Sequence, residues 1–207
     1  NFDTYLGPEH TDEEIKNILE NSKIGYEKIE KPAERAAKAI SSGNVIGWYQ
    51  GKLELGPRAL GNRSILADPR DEKSRDKVNQ AVKHRELWRP FAPSILEDSM
   101  ESYFVDPEKA PFMIQAFEVE EERRDEIPAV IHPADGTARP QTVSKKGNRL
   151  FYRLIKQFEL ITDVPMVLNT SFNRRGEPIV NTPREALKDF YSTGLDKLFM
   201  GKFLLEK

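Results

Sequence analysis

Cysteine is absent from the 207 residues, which excludes disulfides, thiolate metal sites and a cysteine nucleophile together. Apolar runs are short, and none reaches the ~18 residues that a membrane-spanning helix needs. Histidine is scarce: His10, His84 and His132 are the three. They are scattered, which argues against a histidine-rich metal site, and no metal ligand is assigned. The fingerprints GxxxxGK[ST], GxGxxG and HExxH are all missing, so any nucleotide must be held by other means. The opening Asn1-Phe2-Asp3-Thr4 has neither an initiator Met nor a basic-then-apolar leader, and it reads as the start of a piece of something longer. A reducing, cytoplasmic setting fits these absences.

What is present describes one sizeable soluble core under a highly charged surface, with 38% hydrophobic and 32% charged residues. Thirty-two basic against 34 acidic residues give a net charge of −2, which argues against a general nucleic-acid binder. The charge is nevertheless uneven. Residues 136–158 carry six basic groups and no acidic one, whereas residues 101–126 carry nine acidic against three basic. Such alternation suggests a local anion site, with ordinary solvated charge as the equal alternative.

Along the chain, residues 1–10 read as an arm. Thr11 with Glu14 forms a capping box ahead of Ile15, Ile18 and Leu19. A second helix is expected over Lys31–Ile40, closed by Gly43, and a strand over Val45–Tyr49. The glycine-punctuated Gly51–Arg70 cannot be mostly helix. A polar helix is expected over Glu72–Val82, with strands over Phe91–Leu96 and Phe112–Phe117. Pro128–Thr142 has room for two short strands around Asp135-Gly136. Asn148–Leu160 has the periodicity of an amphipathic helix. Pro165–Leu168 reads as a buried strand, Thr182 caps a helix starting at Pro183 with Glu185 completing a second capping box, and 197–205 reads as a final strand. Helices alternating with Pro-bounded strands predict an α/β domain whose sheet is not purely parallel.

Four segments carry groups suited to chemistry. In KLELGPRALGNRS, Lys52, Arg58 and Arg63 are separated by glycines that free backbone amides to turn toward phosphate oxygens; a structural turn with surface arginines fits equally well. In KHRELWRPFAPS, Lys83, Arg85 and Arg89 sit among aromatics and prolines, which favours a bound anion over an internal salt-bridge cluster. In DGTARPQTV, strand alternation would put Thr137 and Arg139 on one face, although an ordinary hairpin explains the pattern too. In LNTSFNRRGEPI, a strand end delivers Asn169, Thr170, Ser171 and Asn173 to a sheet edge, where ligands of open α/β sheets commonly bind. Capping of a tight turn is the equal alternative.

In this order, and above all in GPRALGNRSILADPR and LNTSFNRRGEPIV, the segments resemble the C-terminal domain of the O-carbamoyltransferase family of nodulation-factor and antibiotic biosynthesis. The likeness runs from about Tyr5 to Lys207. It implies a YrdC-like fold, a twisted mixed sheet flanked by helices, over residues 26–207. Residues 1–25 would be the linker and leading helix from an N-terminal Kae1-like domain, which would also hold the family's iron. Lys83-His84-Arg85 resembles the YrdC-type Lys-x-Arg pair, and Thr170-Ser171-Phe172-Asn173 resembles its Thr-Ser-Ala-Asn turn, with Phe172 in place of Ala. PADGTARPQTV lacks the usual His-Val before Asp-Gly. The resemblance further implies that ATP, with magnesium admissible beside it, and carbamoyl phosphate form carbamoyl-adenylate for transfer to an acceptor hydroxyl. Lys83, Arg85, Ser171 and Asn173 would then be catalytic, and Lys52, Arg58, Arg63, Arg89, Thr137, Arg139, Asn169 and Thr170 would bind substrate or nucleotide. The alternative is a YrdC-like RNA- or nucleotide-binding module without catalysis.

Overall fold

Thr11 caps the first helix as its spacing to Glu14 predicts. In the computed structural model, which describes residues 4–83, 86 and 89–207, helix α1 spans Asp12–Asn21. The Thr11 hydroxyl accepts from Glu14 N at 3.2 Å, and Glu14 Oε2 accepts from Thr11 N at 2.7 Å. Two donors that a helix start leaves open are thereby satisfied. Ile15 and Leu19, about one turn apart, enter the same hydrophobic core as the later elements. The leading helix thus shares one core with the segment beyond residue 25.

Helix α2 (Pro32–Ser41) and helix α4 (Arg149–Thr162) pack on each other. The small Ala33, Ala36 and Ala37 of α2 are fully buried, as are Phe151, Leu154, Ile155 and Phe158 of α4. Each large side chain buried in this way contributes roughly 1.5–3 kcal/mol. Asn148 starts α4 by accepting from Phe151 N at 3.0 Å, and Asp163, at φ 61°, ends it. Helix α5 (Pro183–Ser192) follows the Thr182 capping box, packs against the sheet and contacts α1.

The strands are β1 (Glu27–Lys28), β2 (Ile46–Tyr49), β3 (Arg63–Ala67), β4 (Ala92–Leu96), β5 (Phe117–Glu118), β6 (Thr137–Ala138), β7 (Gln141–Val143), β8 (Met166–Ser171), β9 (Lys197–Met200) and β10 (Phe203–Glu206). Eight of them form one sheet in the order β1-β10-β9-β2-β3-β8-β4-β7, and β5 pairs with β6 in a separate ribbon. The pairs β2–β9 and β4–β7 are parallel and the rest are antiparallel. This is the mixed sheet flanked by helices that the sequence implied.

Three expectations need revision and one is refined. Of Phe112–Phe117 only Phe117 is in a strand, because Met113 takes φ 57° in a turn and packs on Leu60 and Ala92. The stretch 197–205 is a hairpin rather than one strand, folded at Gly201 with φ 55°. The glycine-rich segment is not helical, as expected, and it also contributes β3, whose residues are all buried. The polar helix α3 (Glu72–Lys77) continues as a π-helical turn over Val78–Lys83. The wider π turn shifts the helix face by one residue, and such turns are frequent at functional sites. Gly194 holds this turn closely: its amide donates to Ala81 O at 2.7 Å, and a Cβ there would stand 2.4 Å from Ala81 Cβ.

Candidate active site

Strand β8 buries Met166–Asn169 and emerges at Thr170 and Ser171, both half-buried. Beyond it Phe172 turns inward and is fully buried. Room for its ring comes from Gly47, where a Cβ would meet the ring at 2.9 Å. The larger residue in the Thr-Ser-Phe-Asn turn therefore fills the core. Ser171 and Asn173, on either side of it, line the cleft outside.

Lys83 ends the π turn at 6% exposure, and its ammonium reaches that turn from across the fold. Nζ lies 2.6 Å from Ser171 O, 2.9 Å from Asn173 O, 2.6 Å from Asn173 Oδ1 and 3.3 Å from Ser171 Oγ. All four are neutral oxygens. The Ser171 hydroxyl donates to Asn173 Oδ1 at 2.7 Å, and Asn173 Nδ2 donates to Glu177 O at 2.6 Å. Beside this cluster opens a cleft of about 230 Å³, lined also by Arg89, Thr170, Arg174 and Gly176. Arg89 is exposed on it. Arg174 pairs with Glu177 and with buried Asp189 at 3.1 Å, so its charge is already matched. Arg85 lies outside the described residues.

A second cationic group gathers where the loop after β2 meets β8 and β7. Asn169, at 1% exposure, donates through Nδ2 to Ala59 O at 3.1 Å and to Ser94 Oγ at 2.8 Å. Ser94 donates to Gln141 Oε1 at 2.7 Å, and Gln141 Nε2 donates to Leu60 O at 2.9 Å. Arg58 precedes Ala59 and Arg139 lies two residues before Gln141, so this network ties both arginines to the same place. Burial and then the charge of Arg58 hold the Arg139 guanidinium below its ordinary value. Among the described residues neither arginine has a hydrogen-bond or ion-pair partner, and the Nε of each is buried and unsatisfied, as is Asn169 Oδ1. Two neighbouring cations without an anion are costly to hold, and an anion between them would remove the cost.

Other residues chosen from sequence serve the fold. Arg63 is fully buried and stacks on Tyr49, 3.7 Å from the ring centroid. Its guanidinium donates to the carbonyls of Gln50 at 2.6 Å, Asn62 at 3.0 Å and Gly51 at 3.0 Å. That corrects the reading of Arg63 as a phosphate contact. The amide nest expected in the GPRALGN loop is also filled, since Glu54 Oε1 accepts from Leu60 N, Asn62 N and Arg63 N. Lys52 is exposed, and its carbonyl accepts from Asn62 Nδ2. Thr137 closes a turn, donating by amide and hydroxyl to Asp135 Oδ1 at 3.0 and 2.8 Å. It belongs to the small ribbon, so the expected shared strand face with Arg139 is not formed. Glu54, Ser94 and Gln141 were missed. Each stood inside a quoted segment, and the only signal was a polar group among apolar and glycine neighbours. Among the described residues no group of three or more His, Asp or Glu side chains is placed to hold a metal ion. No helix among them is long and apolar enough to cross a membrane.

The model of the family described as carbamoyltransferase C-terminus matches residues 37–207. The chain belongs to that family. The domain is 44% identical over 211 residues to the nodulation protein NolO of Bradyrhizobium diazoefficiens, covering 99% of this chain and 38% of that protein. It is 36% identical over 163 residues to a 3'-hydroxymethylcephem-O-carbamoyltransferase of Amycolatopsis lactamdurans, covering 79% and 31%. An uncharacterized Methanocaldococcus jannaschii protein, MJ1058, is 47% identical over 208 residues, covering 98% and 34%. The carbamoyltransferase domain thus spans about a third of the length of these relatives. Among solved structures it is similar to full-length HypF in a phosphate- and nucleotide-bound form, with TM-score 0.60 and 16% identity over 83% of this chain and 25% of that one. It is also similar to Pyrococcus abyssi Sua5 complexed with L-threonine, with TM-score 0.61 and 16% identity over 85% and 48%. At these identities the likeness establishes the YrdC-like fold.

Proposed function

We propose that this domain binds ATP and carbamoyl phosphate and forms carbamoyl-adenylate, which a preceding Kae1-like domain of the full-length chain passes to an acceptor hydroxyl. The observation that carries the reading is the pair Arg58 and Arg139, adjacent, partly buried and without an anionic partner among the described residues. Polyphosphate between them would satisfy both guanidiniums, and Arg89 would meet its outer end. At the other cluster, carbamoyl phosphate loses inorganic phosphate to water and leaves carbamate. A carbamate oxygen then attacks the α-phosphorus of ATP, and the bond to the bridging oxygen breaks, releasing pyrophosphate.

Lys83 fits the task of holding the oxygens of the carbamate and of the leaving phosphate. Four neutral oxygens of the Thr-Ser-Phe-Asn turn fix its ammonium at the cleft, and a charged oxygen placed beside it would add a charge-assisted bond. Ser171 and Asn173 supply a hydroxyl and an amide, which can orient the planar carbamoyl group for attack. The identity to a cephem O-carbamoyltransferase supports a transferase, and the phosphate- and nucleotide-bound state named for HypF agrees with the ligand class. Titration calorimetry of this chain with ATP, and separately with carbamoyl phosphate, tests the reading. Saturable binding of both is expected, and no binding of either would overturn it.

A further inference from the structure

A separate cleft of about 260 Å³ lies away from both cationic clusters, lined by Glu9, His10, Asp12, Gln50, Gly51 and Gly201 among others. It sits at the carboxyl ends of β2 and β9, a parallel pair whose last partners are Tyr49 and Met200. From there β2 leads to β3 on one side, and β9 turns at Gly201 to β10 on the other. Diverging connections at the carboxyl ends of parallel strands open the crevice in which α/β sheets take ligands.

The groups facing this crevice are acceptors. Gln50 is 6% exposed; Nε2 donates to Gly201 O at 3.1 Å, while Oε1 has no partner among the described residues. Tyr49, pushed up to about 12 by burial, keeps its proton and donates it to Asn181 O at 2.7 Å. Its oxygen, 2.8 Å from His10 Nδ1, can then only accept, so Nδ1 carries hydrogen. Asp12 is matched by Lys202, whose amide lies 3.3 Å and whose ammonium 3.6 Å from its carboxylate oxygens. Glu9 has no ion pair among the described residues. Its nearby cation, Arg63, is buried on backbone carbonyls. The wall cannot fill in, because a Cβ at Gly201 would stand 2.4 Å from Asp12 Oδ1.

We infer that this crevice is a binding site for a primary ammonium group. Such a group offers three N–H donors, and the two Glu9 carboxylate oxygens with Gln50 Oε1 offer three acceptors, the carboxylate having no ion pair among the described residues. The site is independent of the nucleotide reading. It is tested by NMR titration of this chain with propylammonium chloride, with tetramethylammonium chloride as the cation of equal charge lacking N–H donors. Propylammonium should give saturable shifts at the amides of Gly51 and Gly201 and at the His10 ring, unchanged by ATP, and tetramethylammonium should give none. Loss of one hydrogen bond to a charged group predicts that Glu9→Gln and Gln50→Met each weaken binding about tenfold or more. Glu9 is exposed, so Glu9→Gln keeps the test valid should Gln50→Met fail to fold. Equal shifts with both cations, unsaturable shifts, or undiminished binding in Glu9→Gln would overturn the site.

Discussion

Glu54 Oε1 accepts a hydrogen bond from Leu60 N at 2.7 Å, and with Asn62 N and Arg63 N it closes the turn that carries Arg58. The carboxylate is 3% exposed, and its second oxygen, Oε2, has no hydrogen-bond partner among the described residues. A glycine-bearing loop whose amides could have cradled a phosphate is thus held in shape by its own side chain, leaving ligand contact to the arginine.

Glu54→Gln keeps the shape but removes the charge from these bonds and puts an N–H in place of the buried, unpartnered Oε2. Destabilisation of about 1–3 kcal/mol is expected, read from urea denaturation midpoints. A midpoint equal to that of the unaltered protein would mean that the nest does not need the charge.

For Arg58 and Arg139 the expected signature is opposite in stability and binding. Each single change to Ala should weaken ATP binding about ten- to a hundredfold, the worth of one charge-assisted contact. Because both would grip one anion, the double variant should lose less than the product of the two. Removing either charge also relieves the other, so thermal midpoints should stay level or rise, as is common for residues kept for function. Calorimetry and thermal melts on the same samples check this. A clear fall in midpoint without change in ATP affinity would make the pair structural.

Glu185 gives a pH dependence of known sign. Its carboxylate accepts from Thr182 N at 2.9 Å and Asn181 N at 2.7 Å. The Thr182 bond is the main cause holding it below its ordinary value of 4.5. A depressed folded value means that the contribution is present above about pH 4.5 and fades as pH falls through the folded value. Glu185 is largely exposed, so the effect is screened and modest. Denaturation midpoints of the protein and Glu185→Gln should differ at neutral pH and converge in acid. A gap that does not close on acidification would contradict the assignment.

The helices were legible because their local signals agree: Thr11 with Glu14 and Thr182 with Glu185 mark two starts, and apolar spacing marks buried faces. Strand β3 was hidden because the glycines and prolines before it dominate the local pattern, while its pairing to β2 and β8 is non-local. Lys83, Ser171 and Asn173 could be chosen from sequence, but their convergence depends on a π turn that no local pattern announces. Arg63 looked equivalent to Arg58 in sequence. Only the fold separates them, by stacking one under Tyr49 and leaving the other beside Arg139. Glu54, Ser94 and Gln141 were invisible for a related reason. Their importance lies in partners that are distant in sequence or belong to the backbone.

Lys83 and the arginine pair are proposed to serve one reaction joining a carbamoyl group to AMP. Pyrophosphate release by the full-length chain, measured with ATP and carbamoyl phosphate together and with each alone, tests it most directly. Release is expected only with both substrates. It should fall about ten- to a hundredfold or more in Lys83→Met and in Arg58→Ala, and persist in Lys38→Ala on the exposed side of α2. Arg70→Ala is a poorer control, since Arg70 pairs with buried Asp68 at 2.7 Å. Release that ignores carbamoyl phosphate, or that is undiminished in both site variants, would contradict the account.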